Sequence, residues 1–124
     1  MSKTVLIADD EPNILISLEY LMKREGYRVV VARDGQEALQ AIRHESPDLV
    51  LLDVMMPHKT GFDVCQEVRA DAGLQNMLII MLTAKGRDTD IAKGKALGAN
   101  DYVIKPFSTR ELVQKVHDML TGDA

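Results

Sequence analysis

Four apolar segments of the sequence each run directly into a residue that could take part in chemistry. Asp9 and Asp10 follow the first segment, Asp53 the second, Thr83 the third and Lys105 the fourth. If the four segments are parallel strands, their carboxyl ends bring three acids, a hydroxyl and an amine into one crevice, which is where open α/β sheets place their chemistry. Core packing does not require a carboxylate at Asp53, so we take this residue as the centre of the predicted site.

Three carboxylates at one sheet edge would repel one another. Two charges about 4 Å apart interact by about 4 kcal/mol at an effective dielectric constant of about 20. Either a pKa rises or a cation occupies the cluster, and an all-oxygen ligand set favours Mg²⁺, which keeps waters and accepts phosphate oxygens. Helix capping is the alternative explanation for Asp10 and Glu11. Capping is less natural for Asp53, because residues 57–59 delay the next helix.

The amine and the hydroxyl suit an anionic group. A lysine that ends a strand is usually solvated, but Lys105 would point into an acid pocket, where it could anchor an anion. Thr83 is followed by Ala84. A hydroxyl beside a small side chain leaves room for an incoming phosphoryl group.

Strand-like and helix-like patterns alternate along the chain. The apolar runs are continuous, as in strands buried on both faces, and the segments between them have helical periodicity. This alternation predicts a (βα)5 α/β fold with right-handed crossovers and helices on both faces of a doubly wound parallel sheet. The predicted strands are Thr4–Ala8, Tyr27–Ala32, Leu49–Leu52, Met77–Leu82 and Asp101–Ile104. The predicted buried helix faces are Ile14/Leu18/Leu21/Met22, Gly61/Val64/Cys65/Val68 and Leu112/Val113/Val116/Met119/Leu120.

Signals at the helix ends support this reading. Pro12 suits a first helical position, Asp34 suits an N-cap, and Ser108 begins a capping box in which the glutamate three residues on bonds back to the serine N–H. The fourth helix, residues 88–97, is predicted to be the weakest, because Gly94 in its interior costs about 1 kcal/mol relative to alanine. It is either a marginal surface helix or an element that must shift.

Length and composition bound the function. The 124 residues form one predicted domain, 1–124, with a core of about residues 4–120. A net charge of −4 argues against nonspecific binding to nucleic acid or to an anionic membrane. One cysteine excludes an internal disulfide, and no segment resembles a signal peptide or a membrane span, so we expect a cytoplasmic protein.

Taken together and in order, these residues resemble the receiver domain of two-component response regulators. The resemblance extends from Thr4 to Leu120 and implies the flavodoxin-like strand order 2-1-3-4-5. It rests on Asp9-Asp10, Asp53-x-x-Met56-Pro57, Gly61, Thr83-Ala84 and Tyr102-x-x-Lys105-Pro106-Phe107.

The resemblance implies a phosphoacceptor. Asp53 would accept a phosphoryl group from a histidine kinase or a histidine phosphotransfer protein. Asp10, Asp53 and the carbonyl oxygen of Met55 would bind Mg²⁺, with Asp9 reaching it through water. Chemistry supports these roles, because a carboxylate nucleophile forms an acyl phosphate with little machinery beyond positioning and charge neutralisation. The domain would act in signalling and not as an enzyme, apart from catalysing its own phosphorylation and dephosphorylation.

The resemblance also implies a conformational switch. Lys105 would contact the phosphoryl oxygens, and the peptide bond that follows it would be cis. Thr83 and Tyr102 would form the switch pair. Met55 and Lys85, two residues past the acceptor and two past Thr83, are expected to flank the phosphoryl group.

The signal is expected to leave through one surface, the output face, which spans the fourth helix, the fifth strand and the last helix. This face carries Lys93, Lys95, Asp101, Glu111 and Lys115, a mixed-charge set suited to a specific protein partner. Similar receivers of winged-helix transcription factors dimerise through it, but Ile91 stands where they place the basic partner of Glu111. We therefore expect a monomer, or at most a weak homodimer on activation.

Three other functions are compatible with parts of the pattern. A phosphatase with an aspartate nucleophile also forms an aspartyl phosphate, but such enzymes usually show Asp-x-Asp after the first strand. A flavodoxin-like cofactor carrier needs a phosphate loop rich in glycine and hydroxyls, which the segment after the first strand lacks. A degenerate receiver would serve only as an interaction scaffold, although every residue of the predicted site is present here.

Overall fold

Strands and helices alternate along the whole of the described chain. A computed structural model of the protein describes residues 3–122, which form a five-stranded parallel sheet in the order β2-β1-β3-β4-β5. The predicted α/β fold and its flavodoxin-like strand order are confirmed. The strands are β1 (Thr4–Ala8), β2 (Arg28–Ala32), β3 (Leu49–Asp53), β4 (Leu78–Ala84) and β5 (Asp101–Lys105).

Three strands extend further at their carboxyl ends than predicted. Asp53, Thr83 and Lys105 are strand residues and do not merely follow the strands. The ladder explains the extension, because Asp53 pairs with Leu82, and Thr83 and Ala84 pair with the last two residues of β5. The predicted starts at Tyr27 and Met77 were one residue early. Asp53, Thr83 and Lys105 are therefore held in place by the pairing of the sheet itself.

Each strand is followed by a helix whose start is marked by its own sequence. Pro12 is the first helical residue of α1, Asp34 Oδ1 accepts a bond from Glu37 N (2.8 Å), and Ser108 Oγ accepts one from Glu111 N (3.3 Å). Within residues 3–122 the second bond of the predicted capping box, from Ser108 N to the Glu111 carboxylate, is not formed. Only half of that capping box is therefore present. The helices are α1 (Pro12–Arg24), α2 (Gly35–Glu45), α3 (Gly61–Ala70), α4 (Asp88–Ala96) and α5 (Thr109–Thr121), with a 3-10 turn at Ala72–Leu74.

The sheet is buried on both faces. Helices α1 and α5 cover the face that carries Val5 and Ile7, whereas α2 and α3 cover the face that carries Leu6 and Ala8. The predicted faces of α3 and α5 point to the sheet, but on α1 Leu15 is buried and Ile14 only partly so. No helix in the described part of the chain is long and apolar enough to cross a membrane.

Helix α4 lies against β4 through a glycine. Its buried residues are Asp90 and Gly94. A Cβ on Gly94 would come within 3.3 Å of Met81 Cγ on β4, so the missing side chain permits close approach of the helix. Gly94 thus has a packing role, and the hypothesis that α4 must shift stays a prediction.

Candidate functional site

Three carboxylates meet at the carboxyl edge of the sheet. Asp9 and Asp10 follow β1 and Asp53 ends β3, which lies next to β1 in the sheet. One oxygen from each lies within 4.8 Å of the others. Asp9 is fully buried, Asp53 is 6% exposed and Asp10 is exposed, so the cluster opens to solvent on one side.

The position of Asp53 depends on a glycine at the start of α3. The N–H of Gly61 donates to Val54 O (2.9 Å), which closes the loop after β3 onto the strand end. A Cβ on Gly61 would lie 2.3 Å from the carbonyl oxygen of Asp53, closer than any side chain permits. The glycine of the predicted motif is therefore required for α3 to approach the end of β3.

Lys105 reaches across the sheet edge to two of the acids. Its Nζ lies 2.7 Å from Asp9 Oδ2 and 3.3 Å from Asp53 Oδ1, and 3.8 Å from Glu11 Oε1. Burial lowers the pKa of the Lys105 amine, but the hydrogen bond that the amine donates to Asp9 and the charge of Asp53 outweigh it, so the pKa is raised overall. The lysine is thus a fixed positive charge inside the acid cluster, as predicted. The bond between Lys105 and Pro106 is cis, as the resemblance implied.

The two oxygens of Asp53 have different surroundings. Its Oδ1 accepts the bond from Lys105 and a longer one, 3.4 Å, from Met55 N. Within residues 3–122 no donor contacts Oδ2. In Asp9, by contrast, Oδ1 accepts from Glu11 N (2.9 Å) and Oδ2 from Lys105. Asp53 therefore retains an oxygen for bond formation or a metal ion, whereas both oxygens of Asp9 are engaged.

The charge of Asp53 is only partly compensated. Burial, and after it the charge of Asp9, raises the pKa of Asp53 to about 7, although Lys105 acts in the opposite direction. A second cation near the cluster would favour the ionised carboxylate. Oxygen ligands in an open, net negative cluster fit a small hard cation such as Mg²⁺.

A cavity of about 330 Å³ lies above the acids. It is lined by Asp10, Glu11, Asp53, Val54, Met55, Leu82, Thr83, Ala84, Arg87, Asp90 and Lys105. Thr83 is 2% exposed, and its Oγ1 is the one buried side-chain oxygen or nitrogen in the described chain with no hydrogen-bond partner. An unpaired buried hydroxyl is costly, so an anionic group in this cavity would give it a partner.

Tyr102 lies away from this cavity. The amines of Lys95 and Lys115 lie over its ring, with their Nζ atoms 5.0 and 5.6 Å from the ring centre. The Nζ of Lys115 also donates to Tyr102 O (3.0 Å) and lies 3.3 Å from Asp101 Oδ2. Tyr102 thus lies on the surface formed by α4, β5 and α5, the output face, and does not line the cavity that Thr83 lines.

Two charged residues at the rim of this cavity were not predicted from the sequence. Arg87 and the buried Asp90 line the cavity and are joined by a 2.8 Å ion pair. Their i, i+3 spacing at the start of α4 is a signal that could have identified the pair. Met55 lines the cavity as expected and is 62% exposed, whereas Lys85 is exposed and is not among the lining residues.

Comparisons with known proteins agree on one family. The model of the response regulator receiver domain matches residues 5–117. A protein from Chloroflexus aurantiacus J-10-fl, solved as a response regulator, is 38% identical, with 98% of this chain and 99% of that one covered and a TM-score of 0.93. The chemotaxis response regulator CheY4 of Vibrio cholerae is 32% identical, with 94% and 98% covered and a TM-score of 0.89. The receiver domain of a signal transduction histidine kinase from Syntrophus aciditrophicus is 28% identical, with 98% and 92% covered and a TM-score of 0.91. Because the family model spans nearly the whole chain, this protein belongs to the response regulator receiver domains of two-component signalling.

Proposed function

We propose that Asp53 is the phosphoacceptor of this receiver domain. The observation that carries the proposal is the unequal environment of its two oxygens, with Oδ1 held by Lys105 and Oδ2 without a donor. In the proposed reaction Oδ2 attacks the phosphorus of a phosphohistidine on a histidine kinase or histidine phosphotransfer protein. The P–O bond to Asp53 forms while the P–N bond of the donor breaks, and the imidazole leaves with the bonding electrons.

The acid cluster fits Mg²⁺, which would neutralise charge on the phosphoryl oxygens when bound. Asp10, Asp53 and the carbonyl oxygen of Met55 would hold the ion, with Asp9 bound through water. The two internal hydrogen bonds of Asp9 support this division, because they leave its oxygens less available than those of Asp10.

The remaining polar residues would act on the phosphorylated state. Lys105, which contacts the carboxylates of Asp9 and Asp53, would bind the phosphoryl oxygens and orient the acceptor. The hydroxyl of Thr83, which has no hydrogen-bond partner among residues 3–122, would donate to a phosphoryl oxygen. Its movement would open space for Tyr102, which would leave Lys95 and Lys115 and so alter the output face.

We further propose that this cytoplasmic domain passes its signal to a protein partner through the output face. Its mixed charges favour a heterologous contact, and the domain would be a monomer or form a weak homodimer on activation. Sedimentation with and without beryllofluoride and Mg²⁺ tests this expectation. A tight dimer in the activated sample would contradict it.

Phosphorylation is tested by incubating the protein with acetyl phosphate and Mg²⁺ and measuring the intact mass. The wild type should gain one phosphoryl group, and Asp53→Asn should gain none. Asp118→Asn, which replaces a partly exposed aspartate on α5, is the matched control and should label like the wild type. Failure of the wild type to label would support a scaffold without phosphorylation and would overturn the proposal.

A further inference from the structure

The cavity above Asp53 has a second positively charged residue. Six lining residues carry ionisable side chains, of which four are acids and only Lys105 and Arg87 are basic. Lys105 is already engaged by Asp9 and Asp53. A protein-bound phosphoryl group carries a charge of about −1.5 to −2, so phosphorylation of Asp53 would add negative charge to a cavity with little free positive charge.

Most N–H donors of Arg87 have no hydrogen-bond partner among residues 3–122. Its Nε donates to Asp90 Oδ2 at 2.8 Å, and this is its one hydrogen bond within residues 3–122. A guanidinium has five N–H donors, so the four on its terminal nitrogens stay available for a planar, two-point contact. Phosphoryl oxygens are the acceptors that such a fork fits best.

The fold directs Arg87 towards the cavity. Gly86, with φ +84°, turns the chain after β4, and Arg87 is the residue immediately before α4. Asp90 is 9% exposed and belongs to the first turn of that helix, so the ion pair ties the arginine to a fixed point. Lys85, on the other side of the turn, is exposed and does not line the cavity.

We propose that Arg87 binds the phosphoryl group on Asp53 as a second cationic ligand, with Asp90 as its positioning residue. Arg87 would donate from its terminal nitrogens while its Nε stays on Asp90. This inference rests on the proposed phosphoacceptor role of Asp53. It assigns to Arg87 the flanking position that spacing alone gave to Lys85.

Beryllofluoride binding in the presence of Mg²⁺ tests this ligand, because the probe stands in for the phosphoryl group at equilibrium. Its dissociation constant is measured by calorimetry for the wild type, Arg87→Gln and Lys85→Gln. Loss of a charge-assisted two-point contact should weaken binding about tenfold in Arg87→Gln. Lys85→Gln removes the same charge two residues away and should change binding less than about twofold.

The double variant Arg87→Gln/Asp90→Asn guards against a folding defect, since it leaves no buried carboxylate unpaired. It should show the same weakening as Arg87→Gln. Equal binding by Arg87→Gln and the wild type would overturn the inference, as would a larger loss in Lys85→Gln than in Arg87→Gln. If the wild type is not labelled by acetyl phosphate and also does not bind beryllofluoride, the phosphoacceptor role itself is refuted.

Discussion

Replacing Lys105 by methionine should reveal how strongly the acid cluster depends on one amine. Methionine keeps much of the length of the side chain and removes its charge. At an effective dielectric constant of about 20, the amine attracts Asp9 by about 6 kcal/mol and Asp53 by about 5 kcal/mol at the observed distances. Desolvation of the lysine, which is 17% exposed, offsets several kcal/mol of that attraction.

The net effect on stability follows from the charges left behind. Removing one partner of a buried ion pair typically costs about 3–5 kcal/mol, and we expect a loss in this range for Lys105→Met at pH 8 in EDTA. For a domain of this size that lowers Tm by roughly 12 °C or more. Because Lys105 holds down the pKa of Asp53, the variant should take up a proton there more readily. The loss in its free energy of unfolding relative to the wild type should therefore be smaller at pH 5.5 than at pH 8.

Urea unfolding at both pH values measures this directly. Lys23→Met is the matched control, because Lys23 is 60% exposed and its i, i+4 partner Glu19 lies 3.2 Å away. The control should lose less than about 0.5 kcal/mol. A Lys105→Met protein as stable as the control at pH 8, or a deficit that does not change with pH, would refute the electrostatic account of the cluster.

Three further changes probe the same edge of the sheet. Mg²⁺ at ten times its Kd should raise the free energy of unfolding of the wild type by about 1.4 kcal/mol. Asp10→Ala should not gain this stability from Mg²⁺. A full gain in the variant would exclude Asp10 as a ligand. In EDTA, Asp53 has a folded pKa of about 7, above its unfolded value, so the folded state binds more protons between these values. The free energy of unfolding should therefore fall as pH rises from about 4 to above 7, and the slope should flatten in Asp53→Asn; equal slopes in urea titrations would contradict the raised pKa. Gly61→Ala should cost about 1–3 kcal/mol, because its Cβ would meet the backbone of Asp53, whereas Gly73→Ala, with its nearest atom at 3.5 Å, should be close to neutral; equal losses would contradict the close approach.

Continuous apolar runs and their polar ends were enough to predict the strands and the edge at which Asp9, Asp53 and Lys105 meet. Periodicity of this kind reports burial on both faces, which a parallel sheet requires. It does not report where a ladder stops. Thr83 and Lys105 belong to strands because of their pairing partners, which only the assembled sheet provides.

The missed features depend on contacts between distant elements. From the sequence, Gly94 indicated a weak point of α4, because its packing on Met81 cannot be inferred from the neighbouring residues in the chain. Lys85 was predicted to flank the site because it lies two residues past Thr83. The turn at Gly86 brings Arg87 to the cavity instead. Motif spacing thus located the acid cluster but missed Arg87 at the rim of the cavity.

Chemical trapping of the phosphorylated residue tests the central proposal most directly. After incubation with acetyl phosphate and Mg²⁺, borohydride would reduce an aspartyl phosphate to homoserine, which peptide mass mapping locates in the chain. We predict that residue 53 alone is converted, and that no residue is converted when phosphate donor is omitted. Conversion at Asp9 or Asp10, or at any residue in Asp53→Asn, would contradict the assignment of Asp53 as the acceptor.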